Sequence, residues 1–434
     1  MSVGMAPDSQ TLTPRPLLMR VVRLWPEAIL GVATAWVVAV DRLNSSAGDP
    51  GYYWEIAGRI SAGELPYRDY PFEYPPISLP PILLPYFMPD GASLDVYLSG
   101  LFIENMLLMI AIGLGVLMLA RLGWAVESWP RSTLLYGAMA LALAPTVAWR
   151  FDALATLLSV LAVVAVARNH AALSGVALGA GVMTKLYPLA MLPALFVGRI
   201  RNRRLRPALV LGIATVATVA VVAAPFLIGA GNGALSFLEY ATARSVQMES
   251  LPGALAMLAN VLGGPESRIY HGFGTWQVDS PLLAILGPTW TVLTVLLIGL
   301  LAVAIWHRYR VDSASVGGLR PTSEVVHLVA ALMVVLVSSR ILSPQYLFWV
   351  APFVALSSRP KALVFWIACI LTNLGYPINF QELLNQQFDI VIVINLRNAI
   401  LVGFLAWVLT PDLLGALRSV RALVRPKRAT APSG

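Results

Sequence analysis

One cysteine, four histidines and three lysines are all that this chain of 434 residues contains of those types, and charged side chains of every kind make up only 12% of it. The lone Cys369 leaves no disulfide framework and no thiolate cluster. His271, in "RIYHGFGTW", has no second histidine or cysteine at ligand spacing, so neither a metal nor a cofactor is expected. Long hydrophilic stretches are also missing, so no soluble domain of useful size fits between the apolar runs. The formal charge of +8 is no argument for nucleic acid, because in so apolar a chain the position of each charge matters more than the sum.

What is present is apolar. Hydrophobic residues make up 58% of the chain and the mean hydropathy is +0.75, more apolar surface than one soluble core could hide. Runs such as Leu94 to Ala120, Pro207 to Gly229 and Pro281 to Trp306 reach or exceed the roughly 20 residues that span a bilayer core. The composition predicts an all-α polytopic integral membrane protein, with Arg15, Arg20 and Arg23 ahead of an uncleaved start-anchor. About eight full spans are expected, near 24–40, 93–120, 132–148, 153–167, 207–229, 281–306, 362–378 and 390–410. Residues 1–23 form a cytoplasmic N-terminus, 24–410 a single transmembrane domain with outer loops at 41–92 and 231–280, and 411–434 a basic cytoplasmic tail.

Two apolar segments remain. Ala171 to Gly198 lies between Arg168 and the cluster Arg199, Arg201, Arg203, Arg204 and Arg206, so a single crossing would export five arginines against the positive-inside rule. A helical hairpin removes the conflict. Its arms of 13 to 14 residues rise only about 20 Å, short of a hydrocarbon core of roughly 30 Å. Val325 to Ser358 behaves the same way, between the Arg308, Arg310, Arg320 loop and Arg359 with Lys361. With both hairpins, 10 to 12 hydrophobic helices result, both termini are cytoplasmic, and 21 of the 30 basic residues face inward. Sixteen of the 22 acidic residues then fall on or near the outer face, which is where a site for a polar substrate is expected.

The first outer loop carries Asp49, Glu55, Glu64, Asp69 and Glu73 among aromatic rings and prolines. In "YRDYPFEYPP", Tyr67 to Pro76, one arginine, two carboxylates, three prolines and four aromatics share ten residues. Seven prolines between Pro71 and Pro89 make a lipid crossing untenable there, because proline lacks the backbone donor a span needs. The segment is expected to lie at the interface and to stiffen the loop. Carboxylates beside Tyr52, Tyr67 and Tyr74 suit a sugar ring, which rests on aromatic faces while acids take its hydroxyls; interfacial aromatics are the plainer account.

Lys185, in "GVMTKLYPLAMLP" with Tyr187, falls at the turn of the first hairpin, and a cation among apolar residues marks a functional candidate. "SSRILSPQYLFW" places Arg340, Gln345 and Tyr346 at the tip of the second. Two cations facing one acidic cleft suggest a bound phosphate or diphosphate. Arg150 and Asp152, in "AWRFDALATLL", either line the same cleft or pair with each other. Gln247 and Glu249, in "RSVQMESLPGAL", add candidates from the second outer loop.

In these stretches the chain resembles the polyprenol-phosphate-sugar-dependent glycosyltransferases of the GT-C superfamily, and within them glycosyltransferase family 87, the actinobacterial α-mannosyltransferases. The resemblance rests on Asp49 ahead of Tyr52 with "LPYRDYPFEYPP" after it, and on "GVMTKLYPLAMLPAL", "RSVQMESLPGAL" and "RILSPQYLFWVAPF", in that order. It implies a GT-C-like bundle, a polyprenyl-phosphate sugar donor with mannose as the sugar, and a glycolipid or glycan acceptor of the cell envelope at the plasma membrane. It also implies an aspartate of the first outer loop as catalytic base, matched by position at Asp49, with Asp69 and Glu73 left open. A transporter or flippase for a lipid-linked sugar is the alternative that broken helices and intramembrane charges also fit.

Overall fold

The computed structural model describes residues 49–201, 205–316 and 318–424. The expected span at 24–40, Arg203 and Arg204, and the last residues of the tail lie outside them. The chain is 78% helical, and among the described residues the one small sheet is a two-stranded antiparallel hairpin.

Helix α1 (Asp49–Ser61) opens the described chain, within the segment expected as an outer loop. Pro50 favours the first helical positions and Asp49 sits at the positive end of the helix dipole, so "DPGYYW" starts a helix. A short α2 (Leu79–Leu83) follows the proline-rich segment. Then come α3 (Leu94–Arg121), α4 (Trp129–Val147), α5 (Asp152–Ala167), α6 (Ala171–Thr184), α7 (Leu192–Arg201) and α8 (Leu205–Ala230). Helices α9 (Ser236–Ala243) and α10 (Leu251–Val261) precede strands β1 (Arg268–Gly272) and β2 (Thr275–Asp279). The rest is α11 (Pro281–Val316), α12 (Pro321–Ser338), α13 (Leu347–Val354), α14 (Arg359–Asn373), α15 (Phe380–Leu384) and α16 (Phe388–Val424).

Among the described residues six helices are long and apolar enough to cross a membrane: α3, the stretch that begins with α8, α11, α12, α14 and α16. The protein is therefore an all-α, multi-pass membrane protein. The segments expected to cross at 132–148 and 153–167 are helical, as α4 and α5 of 19 and 16 residues, but are not among these six. Helix α16 does not stop at 410. It continues through Pro411, and Asp412, expected at the start of a tail, is buried, with Arg308 at 2.7 Å and His327 at 3.4 Å.

Both hairpins are broken in the same way. Helix α6 ends at Lys185, whose backbone is extended, a 3-10 turn with Pro188 follows, and α7 returns. Helix α12 ends at Ser339, also extended, a 3-10 turn begins at Pro344, and α13 returns. The second hairpin is less symmetric than expected, since α12 has 18 residues and α13 only 8. Helix α12 is also the centre of the bundle: from Ser323 to Val337 almost every side chain is buried, against only Ala208, Leu211 and Thr215 on α8.

The helix ends sort into two groups. One end of the bundle gathers the loops 62–93, 231–280 and 339–346 and is called the loop end below. The opposite end is tied by Arg199 with Glu324 at 2.9 Å, Arg131 with Glu127 at 3.0 Å, and Arg308 with Asp412.

Helix α8 reaches the bundle through a close backbone contact with α6. A Cβ on Gly175 would lie 2.3 Å from the Leu211 carbonyl oxygen, and one on Gly179 would lie 2.7 Å from that of Thr215. Glycines four residues apart share one helix face, and without side chains they let two backbones pack directly. Gly179→Leu should force α6 and α8 apart and lower stability by about 1–3 kcal/mol or more. Thermal unfolding in detergent measures this, and a variant as stable as the parent would refute the close-contact account.

Candidate active site

The proline-rich loop is held at the loop end by its rings. Phe72 is fully buried and Tyr67 nearly so. Tyr67, Phe72, Tyr74, Tyr53, Phe151 and Phe226 meet edge to face at centroid distances of 4.7 to 6.2 Å. Such pairs contribute about 0.5–1.5 kcal/mol beyond their burial. The Tyr67 hydroxyl donates to the Tyr74 carbonyl, and Ser236 at the start of α9 bonds both backbone groups of Phe72. Tyr67 and Tyr74, expected as open sugar-stacking faces, are thus spent on anchoring the loop. Tyr52 stays partly exposed beside them.

Asp49 and Arg150 come together from α1 and the turn before α5. Arg150 Nε lies 2.5 Å from Asp49 Oδ2, and its Nη2 donates to the Tyr376 hydroxyl at 3.3 Å. The arginine side chain is 10% exposed and the aspartate 36%, so the carboxylate keeps an open side while the cation is enclosed. Arg150 and Asp152 do not pair with each other, which settles that expectation.

Asp152 serves two elements at once. It is fully buried; its Oδ1 accepts from Lys185 Nζ at 2.8 Å and from Trp349 Nε1 at 2.7 Å. Trp349 stacks on Tyr187 of the first hairpin at 4.0 Å and on Tyr346 of the second at 3.8 Å. The Lys185 ammonium lies 5.0 to 5.3 Å from the rings of Tyr346, Phe151 and Trp349, within cation–π range. The Tyr187 hydroxyl is anchored on Thr156 and Ser159. Two hairpin tips and the start of α5 therefore form one unit around a neutralised lysine.

Residues 244–250 form a strap across this unit. The strap pairs with β2 through Val278 to Val246 and Met248 to Trp276, and Gln247 N donates to the Arg340 carbonyl. Arg244 makes an ion pair with Glu73, both side chains being largely buried. Burial pushes the Glu73 carboxyl above its ordinary range, against the opposing pull of Arg244. Gln247 exchanges hydrogen bonds with Ser343 at 3.3 Å and reaches Glu249 at 3.4 Å. Burial raises the Glu249 carboxyl from 4.5 to about 7, with Arg397 and Arg150 holding it down.

Sequence reasoning missed Arg397. It is fully buried on α16, its Nη2 donates to the Glu249 carbonyl at 2.7 Å, and its Nε and Nη1 have no hydrogen-bond partner among the described residues. A charge inside the last apolar run was the available signal. The loop end thus gathers Asp49, Glu73, Asp152 and Glu249 with Arg150, Lys185, Arg244 and Arg397, linked by mutual electrostatic influence.

Other expected residues stand apart. Asp69 is held by Arg68 at 2.8 Å and by the Leu65 N–H, which lower its carboxyl to about 2, so it closes an exposed turn. The Arg340 side chain is exposed and borders a cavity of about 820 Å³ with Ser245, Asp279, Ser280 and the first three turns of α11. Gln345 is buried in the second tip. Among the described residues no group of three or more His, Cys, Asp or Glu is placed to hold a metal ion.

A helical bundle with a charged, ring-lined site at one end defines a polytopic membrane protein built to handle a polar group beside lipid. Residues 72–339 match the model of glycosyltransferase family 87, more than half of the 434 residues, and the chain belongs to that family. It is a membrane glycosyltransferase. The matched span contains Glu73, Arg150, Asp152, Lys185, Arg244, Gln247 and Glu249, while Asp49, Arg340 and Arg397 fall outside it. A search of curated proteins returned no match.

The Asp152 arrangement makes a quantitative demand. Asp152→Asn leaves Lys185 without its counter-charge and should destabilise the protein by about 3–5 kcal/mol. Adding Lys185→Met to that variant removes the stranded cation and should restore part of the loss. Unfolding of the single and double variants in detergent checks this; equal stability of the two would break the link.

Proposed function

We propose that this glycosyltransferase moves a sugar, with mannose favoured, from a polyprenyl-phosphate donor to a hydroxyl of a cell-envelope glycolipid or glycan, on the outer face of the plasma membrane. The observation that carries this reading is the half-open carboxylate of Asp49 beside a caged cation at the end of an apolar bundle. Asp49 is the general base. All three candidates carry an arginine partner, but Asp69 closes an exposed turn apart from the cluster and Glu73 is enclosed with Arg244, whereas Asp49 lies within the cluster and keeps an accessible side.

The reaction is a single in-line displacement. Asp49 takes the proton of the acceptor hydroxyl, that oxygen attacks the anomeric carbon, and the bond from that carbon to the phosphate oxygen breaks with its electron pair going to the lipid phosphate. A β-linked donor then gives an α-linked product. Charge grows on the departing phosphate, so cations that contact it bind the transition state more tightly than the ground state. Lys185 and Arg340 are assigned to that phosphate. The Arg340 cavity supports a lipid carrier, because its far wall is Leu283, Ala284, Gly287 and Pro288 of a helix whose next turns expose Val292, Val295 and Leu296. Tyr52, Gln247, Glu249, Gln345 and Tyr346 are assigned to the sugars.

Asp49→Asn keeps size but cannot accept a proton, and should lower turnover by at least about 10²-fold while donor binding persists. Transfer of radiolabelled mannose from polyprenyl-phosphate mannose to membrane glycolipids measures it. Near-normal transfer would remove Asp49 as the base. The sidedness is tested with cysteines at Gly63 and Arg206 in a chain whose native Cys369 is fully buried. An impermeant thiol reagent applied to whole cells should label the first and spare the second; the reverse pattern would put the site inside.

A further inference from the structure

Arg244 and Glu73 meet where three segments converge: the proline-rich loop, the strap and the tip of the β1–β2 hairpin. Gly274 at that tip has a φ of +67°, and a Cβ there would lie 3.6 Å from Glu73 Oε2 and 4.0 Å from Arg244 Nη2. The tip is fastened by Phe273 against Tyr240 at 5.7 Å, and the Arg244 guanidinium lies 5.7 Å from the same Tyr240 ring. The ion pair is therefore covered on one side by backbone and flanked by rings.

The pair is not needed to hold these segments together. Ser236 already clamps Phe72, and the strap is already laced to β2 and to Arg340. Nor does the pair satisfy its members. Arg244 Nε has no hydrogen-bond partner among the described residues, so the buried guanidinium lacks one acceptor. Glu73, for its part, feels Tyr74, Asp49 and Lys185 as well as Arg244. Arg244 pairs with this carboxylate, and Lys185, over the Tyr346 ring at 5.0 Å, is close enough to influence it.

We propose that Arg244, together with Lys185, forms the seat of the donor phosphate, and that Glu73 is a resident anion which the phosphate replaces. The proposal rests on the lipid-phosphate reading above and adds Arg244 to Lys185 and Arg340 as a third cation for the phosphate, together with the group that keeps the seat until donor arrives. A sugar phosphodiester carries one negative charge, as the Glu73 carboxylate does, so Arg244 exchanges one singly charged partner for another. The planar fork of arginine takes two acceptor oxygens side by side, which would also satisfy Nε. When the sugar departs, the phosphate gains a second charge, and Lys185 is the cation in reach to meet it.

The test is binding of geranylgeranyl monophosphate, with geranylgeraniol as the uncharged control, to the purified full chain in detergent. The parent should prefer the phosphate. Arg244→Gln should weaken phosphate binding by at least about tenfold and leave alcohol binding as it was. Glu73→Gln should tighten phosphate binding, because the competing anion is gone. Opposite signs for the two variants separate a phosphate seat from a structural ion pair, which would be weakened alike by either change. Weakening by both variants, or an Arg244→Gln variant that binds the phosphate like the parent, overturns the proposal. A parent that does not distinguish phosphate from alcohol overturns the lipid-phosphate reading beneath it, and the seat with it.

Discussion

The hydrogen bonds of Asp152 to Lys185 and to Trp349 are the constraint on which the loop end depends. A lysine surrounded by rings needs a counter-charge, since burying an unpaired ammonium costs several kcal/mol. The same carboxylate oxygen takes the indole N–H, which fixes the ring that Tyr187 and Tyr346 stack upon. One buried acid therefore neutralises the first hairpin tip, orients the second and sets the distance between them.

Around this unit, each further carboxylate is supplied from a separate segment and met by a cation from another. Asp49 of α1 meets Arg150, Glu73 of the proline-rich loop meets Arg244 of the strap, and Glu249 lies near Arg397 of α16. Local pairing would have given a rigid loop with no space between the charges. Pairing across segments makes the site a product of the whole bundle, and the aromatic contacts of Phe72, Tyr67 and Phe226 do the positioning that regular structure cannot do in a chain so rich in proline.

Much of this was legible in the sequence, for identifiable reasons. The hairpins could be read because arginines on both flanks of Ala171 to Gly198 forbid one crossing, and because Lys185 and Arg340 interrupt the apolar runs where the tips fall. Proline density marked the segment at 71–89 as unable to cross. The pairing of charges was not legible, since Arg150 and Asp152 are neighbours in sequence yet turn to Asp49 and Lys185, a choice made by the start of α5. Asp49 read as a turn residue because Gly and Pro surround it, although Pro50 suits the first turn of a helix equally well. Ring-rich composition suggested open stacking faces, but composition does not tell a ring that awaits a ligand from one that closes a core.

The separation in sequence of the partners of Asp152 also bears on how the chain is made. Lys185 follows Asp152 by only 33 residues, whereas Trp349 follows it by 197. During synthesis the aspartate and the lysine emerge close together and can enter the bilayer as a neutral pair, before either charge has to face lipid alone. The indole arrives after most of the remaining helices have been translated. The first hairpin is thus electrically complete early, and the ring stack that shapes the site is among the last parts of the protein to close.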